Sequence, residues 1–266
     1  MENDYIIKGG EEGKKRLEVI AEILNLQTKK LIENGGSIEG KKFLDVGSGG
    51  GSVSLMVSQM VGAKGSVTSI DFDNEIIQLS KNDATSLNVK NISYRILDAY
   101  ELDYENEFDI AYSRFLLSHL QRPAVVLNKM IKSLKKGGRI IIEDIDFSGH
   151  FCFPNSEAFD SYLNYFVTAA KNNGQNPNIG LSLFELFMSE QIDEIQFDVI
   201  QPFYNEGKGK WMAYFTMDKI KETVIKQKLA DSNSIEKLLL ELKRFTEDKN
   251  SLISLPRIFR VWGIKH

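Results

Sequence analysis

The sequence has few of the residues that crosslink small proteins or bind metals. Its single cysteine, Cys152, excludes an internal disulfide and a zinc cluster built from cysteines. The three histidines lie far apart along the chain, so we expect no metal site. No run of about 18 apolar residues is present, which argues against a helix that crosses a membrane. The 266 residues, of which 42% are hydrophobic, are enough to bury a core without a disulfide or a metal.

The net charge argues against a nucleic-acid partner, and the first residues argue against a signal peptide. The formal net charge is −4 and acidic and basic residues are mixed along the chain, so we expect no nucleic-acid partner. Residues 1–15 lack the apolar segment of a signal peptide. These features predict a soluble, cytoplasmic protein without a membrane partner.

The first 150 residues alternate between predicted helices and short apolar strands. A helix is predicted over 11–34, and Asp73 is expected to cap another that turns Ile76, Ile77, Ser80, Ala84 and Leu87 inward. Strands are predicted at 41–46, 65–70, 92–97, 108–112 and 139–143, with Gly137-Gly138 ending the helix before the last. Nearly continuous apolar strands predict a doubly wound, mostly parallel sheet of seven strands with helices on both faces.

The rest of the chain completes this sheet and adds a cap. Further helices are predicted at 155–173, 181–189, 210–229 and 234–248, and strands at 194–203 and 257–264. We therefore divide the chain into a helical cover (1–40), a ligand-binding core (41–150) and a C-terminal part (151–266) whose cap spans 210–249. Many aromatic residues in the C-terminal helices favour a small, partly apolar ligand. The same helices are suited to a dimer interface, so a monomer and a homodimer both stay open.

A glycine-rich turn gives the strongest local signal. Residues 43–53 read Phe-Leu-Asp-Val-Gly-Ser-Gly-Gly-Gly-Ser-Val, a strand followed by a turn and a helix start. Such a turn presents free backbone N–H groups, and its glycines permit positive φ or close approach of a ligand. Twenty residues after Gly51, the second strand ends at Asp71, where an acid can accept hydrogen bonds from both hydroxyls of an adenosine ribose. A tight turn without a ligand is the alternative.

The spacing of the glycines separates two classes of nucleoside ligand. The glycines fall at 47, 49 and 51, and Ser52 occupies the place of the third glycine in the dinucleotide motif. Asp45 precedes the first glycine by two residues, where its carboxylate would repel a pyrophosphate but attract the ammonium of a methionine moiety. This pattern favours a cationic amino-acid ligand over a nicotinamide dinucleotide.

From about Tyr5 to Phe203 the motifs resemble, in order, those of the class I S-adenosylmethionine-dependent methyltransferases. The resemblance implies that the glycine loop holds the methionine end, that Asp71 holds the ribose with Phe72 on the adenine, and that Asp98 and Ala99 frame the adenine ring. Lys136 stands where this family more often has proline. The implied cofactor-binding residues are Asp45, Gly47, Ser48, Gly49, Gly51, Asp71, Phe72, Asp98, Ala99, Ser113 and Arg114.

A narrower resemblance concerns the N-terminus. Tyr5 and the glycines at 9 and 10, followed by Arg16-Leu17, resemble the signature of UbiE-like small-molecule methyltransferases, whose N-terminal segment folds over the cofactor. We therefore consider Tyr5 and His119 as catalytic residues. His119 would act as a general base, since an unperturbed histidine has a pKa of about 6.5. Packing under the cap is the alternative for His119, and contact with the cofactor or simple packing is the alternative for Tyr5.

Three other polar positions keep two interpretations each. Arg114 either meets a ligand or forms a salt bridge with Glu143 or Asp144. Asp144 and Asp146, at the end of a strand, either hold a polar group of the acceptor or cap the following loop. His150 and Cys152 are expected to belong to the wall of the site.

The predicted activity is transfer of a methyl group from S-adenosylmethionine to an O, N or C atom of a small, partly apolar metabolite, with release of S-adenosylhomocysteine. Correct orientation alone supplies about 7–11 kcal/mol in such displacements, so no side-chain nucleophile is required. The alternatives are a non-enzymatic nucleoside-binding module, a protein or nucleic-acid methyltransferase and, less favoured by the glycine spacing, a nicotinamide-dependent oxidoreductase.

Overall fold

The computed structural model describes residues 10–266, so Tyr5 and the other residues before Gly10 lie outside the described part of the chain. The predicted alternation of helices and strands is confirmed, with ends shifted by a few residues. The first half contains α1 (Gly10–Glu33), β1 (Lys42–Val46), α2 (Ser52–Val61), β2 (Ser66–Asp71), α3 (Asn74–Ser86), β3 (Ile92–Ile96), β4 (Phe108–Arg114), α4 (Pro123–Ser133) and β5 (Leu134–Asp146).

The second half holds the elements that complete the sheet and cover its edge. They are β6 (Cys152–Phe153), α5 (Glu157–Asn172), α6 (Leu183–Met188), β7 (Ile192–Ile200), β8 (Phe203–Tyr204), α7 (Met212–Lys226), α8 (Ser232–Glu247), β9 (Leu252–Ser254) and β10 (Arg257–Lys265). β6, β9 and β8 form a small antiparallel sheet of their own.

The main sheet has seven strands in the order β3-β2-β1-β4-β5-β10-β7. β1 to β5 pair in parallel, and β10 runs antiparallel between β5 and β7. The predicted doubly wound, mostly parallel sheet is therefore confirmed. The strand order reverses between β1 and β4, and the carboxyl ends of strands at such a point leave a crevice in which ligands bind.

Helices cover both faces because each presents one apolar face to the sheet. α1 and α2 pack on one face around Phe43 and Val57, and α4 and α6 pack on the other around Leu127 and Phe187. Local signals set the helix ends: Asp73 accepts hydrogen bonds from two backbone N–H groups at the start of α3, and Pro123 is the first residue of α4.

Two local predictions are wrong. Leu87 is 63% exposed instead of buried, because α3 ends at Ser86 and the chain turns away. Gly137-Gly138 does not end α4, which stops at Ser133; the two glycines lie inside β5. Pairing with β4 jumps there from Leu134 to Arg139, so Gly137, with φ of 75°, belongs to a looped-out part of the strand.

The two helices predicted for the cap do not pack alone. α5 packs with α7 and α8 in a single apolar cluster, although β7 separates α5 from the other two along the chain. Its fully buried members include Phe159, Tyr162 and Met217. The division into a cover, a core and a cap stays a prediction. Across residues 10–266, no helix is long and apolar enough to span a membrane.

Candidate functional site

A cavity of about 760 Å³ lies over the carboxyl ends of β1, β2 and β4. α1 lines it from above, and residues of α5 and α7 close its far side. It falls within the range of about 300–1,000 Å³ that is usual for small-molecule sites. Most of the predicted cofactor-binding residues line this cavity: Asp45, Gly47, Ser48, Gly49, Asp71, Phe72, Asp98, Ala99 and Arg114.

The glycine loop needs its glycines for the backbone conformation. Gly47, Gly49 and Gly51 have φ values of 70°, 50° and 74°, in the left-handed region that favours glycine. Gly51 does not line the cavity; it precedes the first turn of α2, and a Cβ there would lie 2.8 Å from the Ser80 hydroxyl. The predicted contact of Gly51 with the ligand is therefore replaced by close packing of the loop on α3.

Asp71 is held in place from two sides. Its Oδ2 accepts a hydrogen bond from the backbone N–H of Gly49 at 2.9 Å, and its Oδ1 accepts one from that of Asp73 at 3.0 Å. Burial raises the pKa of this carboxyl, and the backbone donors oppose the shift. Each carboxylate oxygen keeps a second lone pair, so the fixed group can still accept hydrogen bonds from two hydroxyls of a ligand.

The ends of β2 and β3 bring the adenine-site residues of the resemblance next to Asp71. Phe72 is 45% exposed and lines the cavity. Asp98 accepts a hydrogen bond from the backbone N–H of Tyr100 at 2.9 Å and thereby caps a 3-10 turn that begins at the buried Ala99. The tertiary structure thus places an aromatic ring, an acid and a small residue around one end of the cavity.

Asp45 lies in β1, two residues before the glycine loop, lines the cavity and is only 2% exposed. Its Oδ2 accepts a hydrogen bond from the Ser54 hydroxyl at 2.6 Å. Burial raises the pKa of Asp45 to about 6, although the Ser54 hydrogen bond and the positive charge of Arg114 act in the other direction. The carboxylate is therefore ionised at neutral pH and can attract a ligand cation.

Arg114 uses hydrogen bonds to α1 instead of either predicted salt bridge. Its Nη1 donates to Asn25 Oδ1 at 3.2 Å and to Thr28 Oγ1 at 3.1 Å. The Thr28 hydroxyl in turn donates to Glu143 Oε1 at 2.7 Å, and the hydroxyl of Tyr112 donates to the same oxygen at 2.7 Å. Thr28 therefore stands between the arginine and the acid. Sequence reasoning missed Thr28 because a single threonine on a helix carries no signal of its contacts.

Ser113 is buried and does not line the cavity, unlike its neighbours Tyr112 and Arg114. Successive side chains of a strand point to opposite faces, so only every second residue of β4 faces the site. Contact of the Ser113 side chain with a ligand, as predicted from the resemblance, is therefore not supported by its placement.

His119 lines the cavity beneath the cap, in a 3-10 turn after β4. Burial and then the positive charge of Arg16 lower the pKa of His119 to about 4. The imidazole is therefore neutral at pH 7 and is a weaker base than its sequence context suggested. Its catalytic role, like that of Tyr5, stays a prediction.

The other ionisable residues of the strand ends serve the wall and the loops. His150 lines the cavity, its Nε2 lies 2.8 Å from the Ser254 carbonyl, and burial lowers its pKa to about 3. Asp144 accepts hydrogen bonds from the backbone N–H groups of Ser118 and Ile145, and Asp146 accepts one from that of Ser148. Neither acid lines the cavity, which supports the loop-capping interpretation. Among the side chains described for residues 13 and 16–266, no group of three or more histidines, cysteines or acids is placed to hold a metal ion.

Sequence comparison relates the chain to known proteins. The sequence model of a family described as a methyltransferase domain matches residues 38–218. The ubiquinone/menaquinone biosynthesis C-methyltransferase UbiE of Vibrio cholerae is 30% identical over 133 residues, which cover 49% of this chain and 50% of that protein. The chain thus spans about half the length of the curated relatives it matches.

Two solved structures share the fold at 17% sequence identity. A Bacillus halodurans protein described as a methyltransferase superposes with a TM-score of 0.61, over 89% of this chain and 97% of that one. Phosphoethanolamine N-methyltransferase 2 of Haemonchus contortus, solved with phosphomonomethylethanolamine and S-adenosylhomocysteine, superposes with a TM-score of 0.57, over 90% of this chain and 52% of that one.

Proposed function

Because the chain belongs to the methyltransferase domain family, with the fold of the class I S-adenosylmethionine-dependent enzymes, we propose that it methylates a small molecule bound in its cavity. One observation carries the proposal. The glycine loop and Asp71 are hydrogen bonded to each other, and both face one cavity that also extends under the cap. A single space can therefore hold a nucleoside cofactor at the strand ends and an acceptor beyond it.

The residues at the strand ends fit S-adenosylmethionine. Asp71 has lone pairs left for the two ribose hydroxyls, and Asp98 and Ala99 lie where the adenine would be framed. At the other end, the buried carboxylate of Asp45 faces the place of the methionine ammonium. When bound, the cofactor supplies an activated methyl group on a sulfonium.

The protein's own part in such a reaction is positioning. An in-line displacement needs the acceptor atom close to the methyl group and opposite the sulfur, and correct orientation can supply about 7–11 kcal/mol. α1 lies over the glycine loop, where the Leu17 side chain approaches Gly49 and Gly50. The neutral imidazole of His119 lines the same cavity, beneath the cap.

The cap side of the cavity supports a partly apolar acceptor. Ile145, Phe147, Phe166 and Met212 line it there, together with Tyr162 and Thr216. The V. cholerae relative is named as a C-methyltransferase of ubiquinone/menaquinone biosynthesis, so ring carbons of quinone-related compounds are the first acceptors to test. The concave shape of the cavity, with helices on its far side, also favours a small molecule over a protein or nucleic-acid chain.

Calorimetric titration with S-adenosylhomocysteine, with NADH as the control, tests the cofactor. We expect micromolar binding of the first and none of the second. Binding of NADH alone would revive the oxidoreductase and overturn the proposal. If S-adenosylhomocysteine binds but no methyl group is transferred to any of a broad panel of quinols, phenols and amines, the non-enzymatic nucleoside-binding module becomes the better account.

A further inference from the structure

Arg16 brings a positive charge into the cap side of the cavity. This residue of α1 lines the cavity, and its Nε donates one long hydrogen bond, of 3.4 Å, to the hydroxyl of Thr216 on α7. Among the side chains that the structure describes, those of residues 13 and 16–266, no carboxylate forms an ion pair with its guanidinium. A guanidinium carries five N–H donors, so most of them are left for a ligand.

The surroundings of Arg16 do not compensate its charge. Burial lowers the pKa of Arg16, which shows that the site disfavours an isolated cation. His119 is neutral at pH 7, and burial keeps the hydroxyl of Tyr162 protonated by raising its pKa far above the usual value. A buried charge without a partner is costly, and an anion that enters the site would remove that cost.

The acids that line the cavity serve other purposes. Asp45 is bonded to Ser54, Asp71 to the glycine loop, and Asp73 caps α3. Asp98 caps its own 3-10 turn, and Glu222 lies further along α7. In the described part of the chain, none of these carboxylates forms an ion pair with Arg16, so the guanidinium can hold an anionic ligand.

The position of Arg16 assigns that ligand to the acceptor. The cofactor end of the cavity already has a guanidinium, that of Arg114, close enough to Asp45 to affect its pKa. Arg16 instead lies by Thr216 of α7, within electrostatic range of Tyr162 on α5 and of His119. These are cap residues and the turn beneath the cap, not the glycine loop or the adenine site.

We propose that Arg16 binds an anionic group of the methyl acceptor, so the acceptor is a small molecule with an apolar body and a carboxylate or equivalent anion. This inference rests on the proposed methyltransferase function. The planar guanidinium can hold a carboxylate by two parallel hydrogen bonds, which fixes both the position and the orientation of the acceptor. The aromatic side chains of Phe147 and Phe166, which line the cavity, then contact the apolar part of the acceptor.

Binding of matched acids and amides to the full chain tests this assignment. The protein, saturated with S-adenosylhomocysteine, is titrated by ligand-observed NMR with phenylacetate and 4-hydroxybenzoate, and with phenylacetamide and 4-hydroxybenzamide. We expect the acids to bind at least about tenfold more tightly than the amides, since a hydrogen-bonded charge pair contributes more than a neutral one. Arg16→Gln should abolish this preference, and Arg16→Lys should keep part of it.

Arg122→Gln is the matched control. Arg122 is exposed, lies over the Tyr100 ring outside the cavity, and its replacement removes the same charge. We expect this variant to keep the acid preference of the wild type.

Each other result overturns the inference in a distinguishable way. Absence of an acid preference in the wild type, or its survival in Arg16→Gln, excludes an acceptor anion at Arg16. A loss of S-adenosylhomocysteine affinity in Arg16→Gln, with the acid preference intact, would assign Arg16 to the methionine carboxylate instead. Failure of the wild type to bind S-adenosylhomocysteine at all would refute the proposed function itself.

Discussion

The carboxylate of Asp71 accepts a hydrogen bond from the backbone N–H of Gly49 at 2.9 Å, so the end of β2 is tied directly to the glycine loop. The other oxygen of the same carboxylate accepts the N–H of Asp73, just before α3. One acid therefore fixes the loop, the start of a helix and its own orientation toward the cavity. Two motifs that are separate in sequence act as one unit in the structure.

Replacement of Asp71 should weaken cofactor binding. Asp71→Ala removes the acceptor for the ribose and for Gly49, and we expect S-adenosylhomocysteine to bind about 1–3 kcal/mol less tightly by calorimetry. Asp71→Asn should be nearly as harmful, because its amide N–H₂ would face a backbone donor. Asp103→Asn, on the exposed surface away from the cavity, is the control. Unchanged affinity in both Asp71 variants would refute the ribose assignment.

Gly51→Ala should destabilise the protein more than Gly137→Ala. Both residues have positive φ, of 74° and 75°, so both variants incur the same backbone strain, of about 1–2 kcal/mol. Only at Gly51 would the new Cβ also collide with Ser80, because nothing lies within 4 Å of a Cβ at Gly137. The difference between their free energies of unfolding in urea measures the steric part. Equal values would mean that α3 moves away freely.

The affinity for S-adenosylhomocysteine should decrease as the pH falls through about 6, the pKa to which burial raises Asp45. The ionised carboxylate attracts the methionine ammonium and the protonated one does not, so affinity is full above this pH and is lost below it. Each pH unit below this pKa should lower the affinity by up to about tenfold. Calorimetry at several pH values between 5 and 8 measures the effect.

Two variants separate Asp45 from the other buried acid of similar pKa. Burial also raises the pKa of Asp144 to about 6, but this residue does not line the cavity. Asp45→Asn should therefore abolish the pH dependence, whereas Asp144→Asn should keep it. The opposite pattern would show that Asp45 does not contact the ammonium.

His119 should remain neutral throughout the physiological range. Burial and the charge of Arg16 hold its pKa at about 4, and NMR titration of the imidazole signals should show protonation only near that pH. Arg16→Gln should raise the pKa of His119. The pKa of His150 should stay unchanged, because burial lowers it without a contribution from Arg16. Protonation of His119 near pH 6.5 in the wild type would contradict its burial under the cap and restore it as an ordinary general base.

Thr28→Val and Tyr112→Phe should each lower the free energy of unfolding by about 1–3 kcal/mol, since each leaves the buried Glu143 with one donor fewer. The double variant should differ from the sum of the two, because both hydroxyls serve one oxygen. Urea denaturation measures the values. Thr85→Val, which removes an exposed hydroxyl on α3, should change stability by less than about 0.5 kcal/mol. An equally small effect of Thr28→Val would show that Glu143 finds another donor.

The sequence by itself determined the sheet, most helix ends and most of the strand-end residues that line the cavity. These features depend on local patterns: apolar strands, a glycine turn with positive φ, and acids placed directly after strands, whose ends must meet at one edge of a parallel sheet. The alternation of side chains between the two faces of β4 is also a local property. The resemblance nevertheless named Ser113, whose side chain does not line the cavity.

Only the tertiary structure decided what the cap side contains. α5 joins α7 and α8 across an intervening strand, Thr28 comes between Arg114 and Glu143, and Arg16 of α1 meets Thr216, which is 200 residues away in sequence. Contacts between segments that are distant in sequence depend on how apolar faces pack together. No local sequence pattern reveals which of these faces will meet. For the same reason the low pKa of His119 was not predictable, because burial and a neighbouring charge are properties of the folded chain alone.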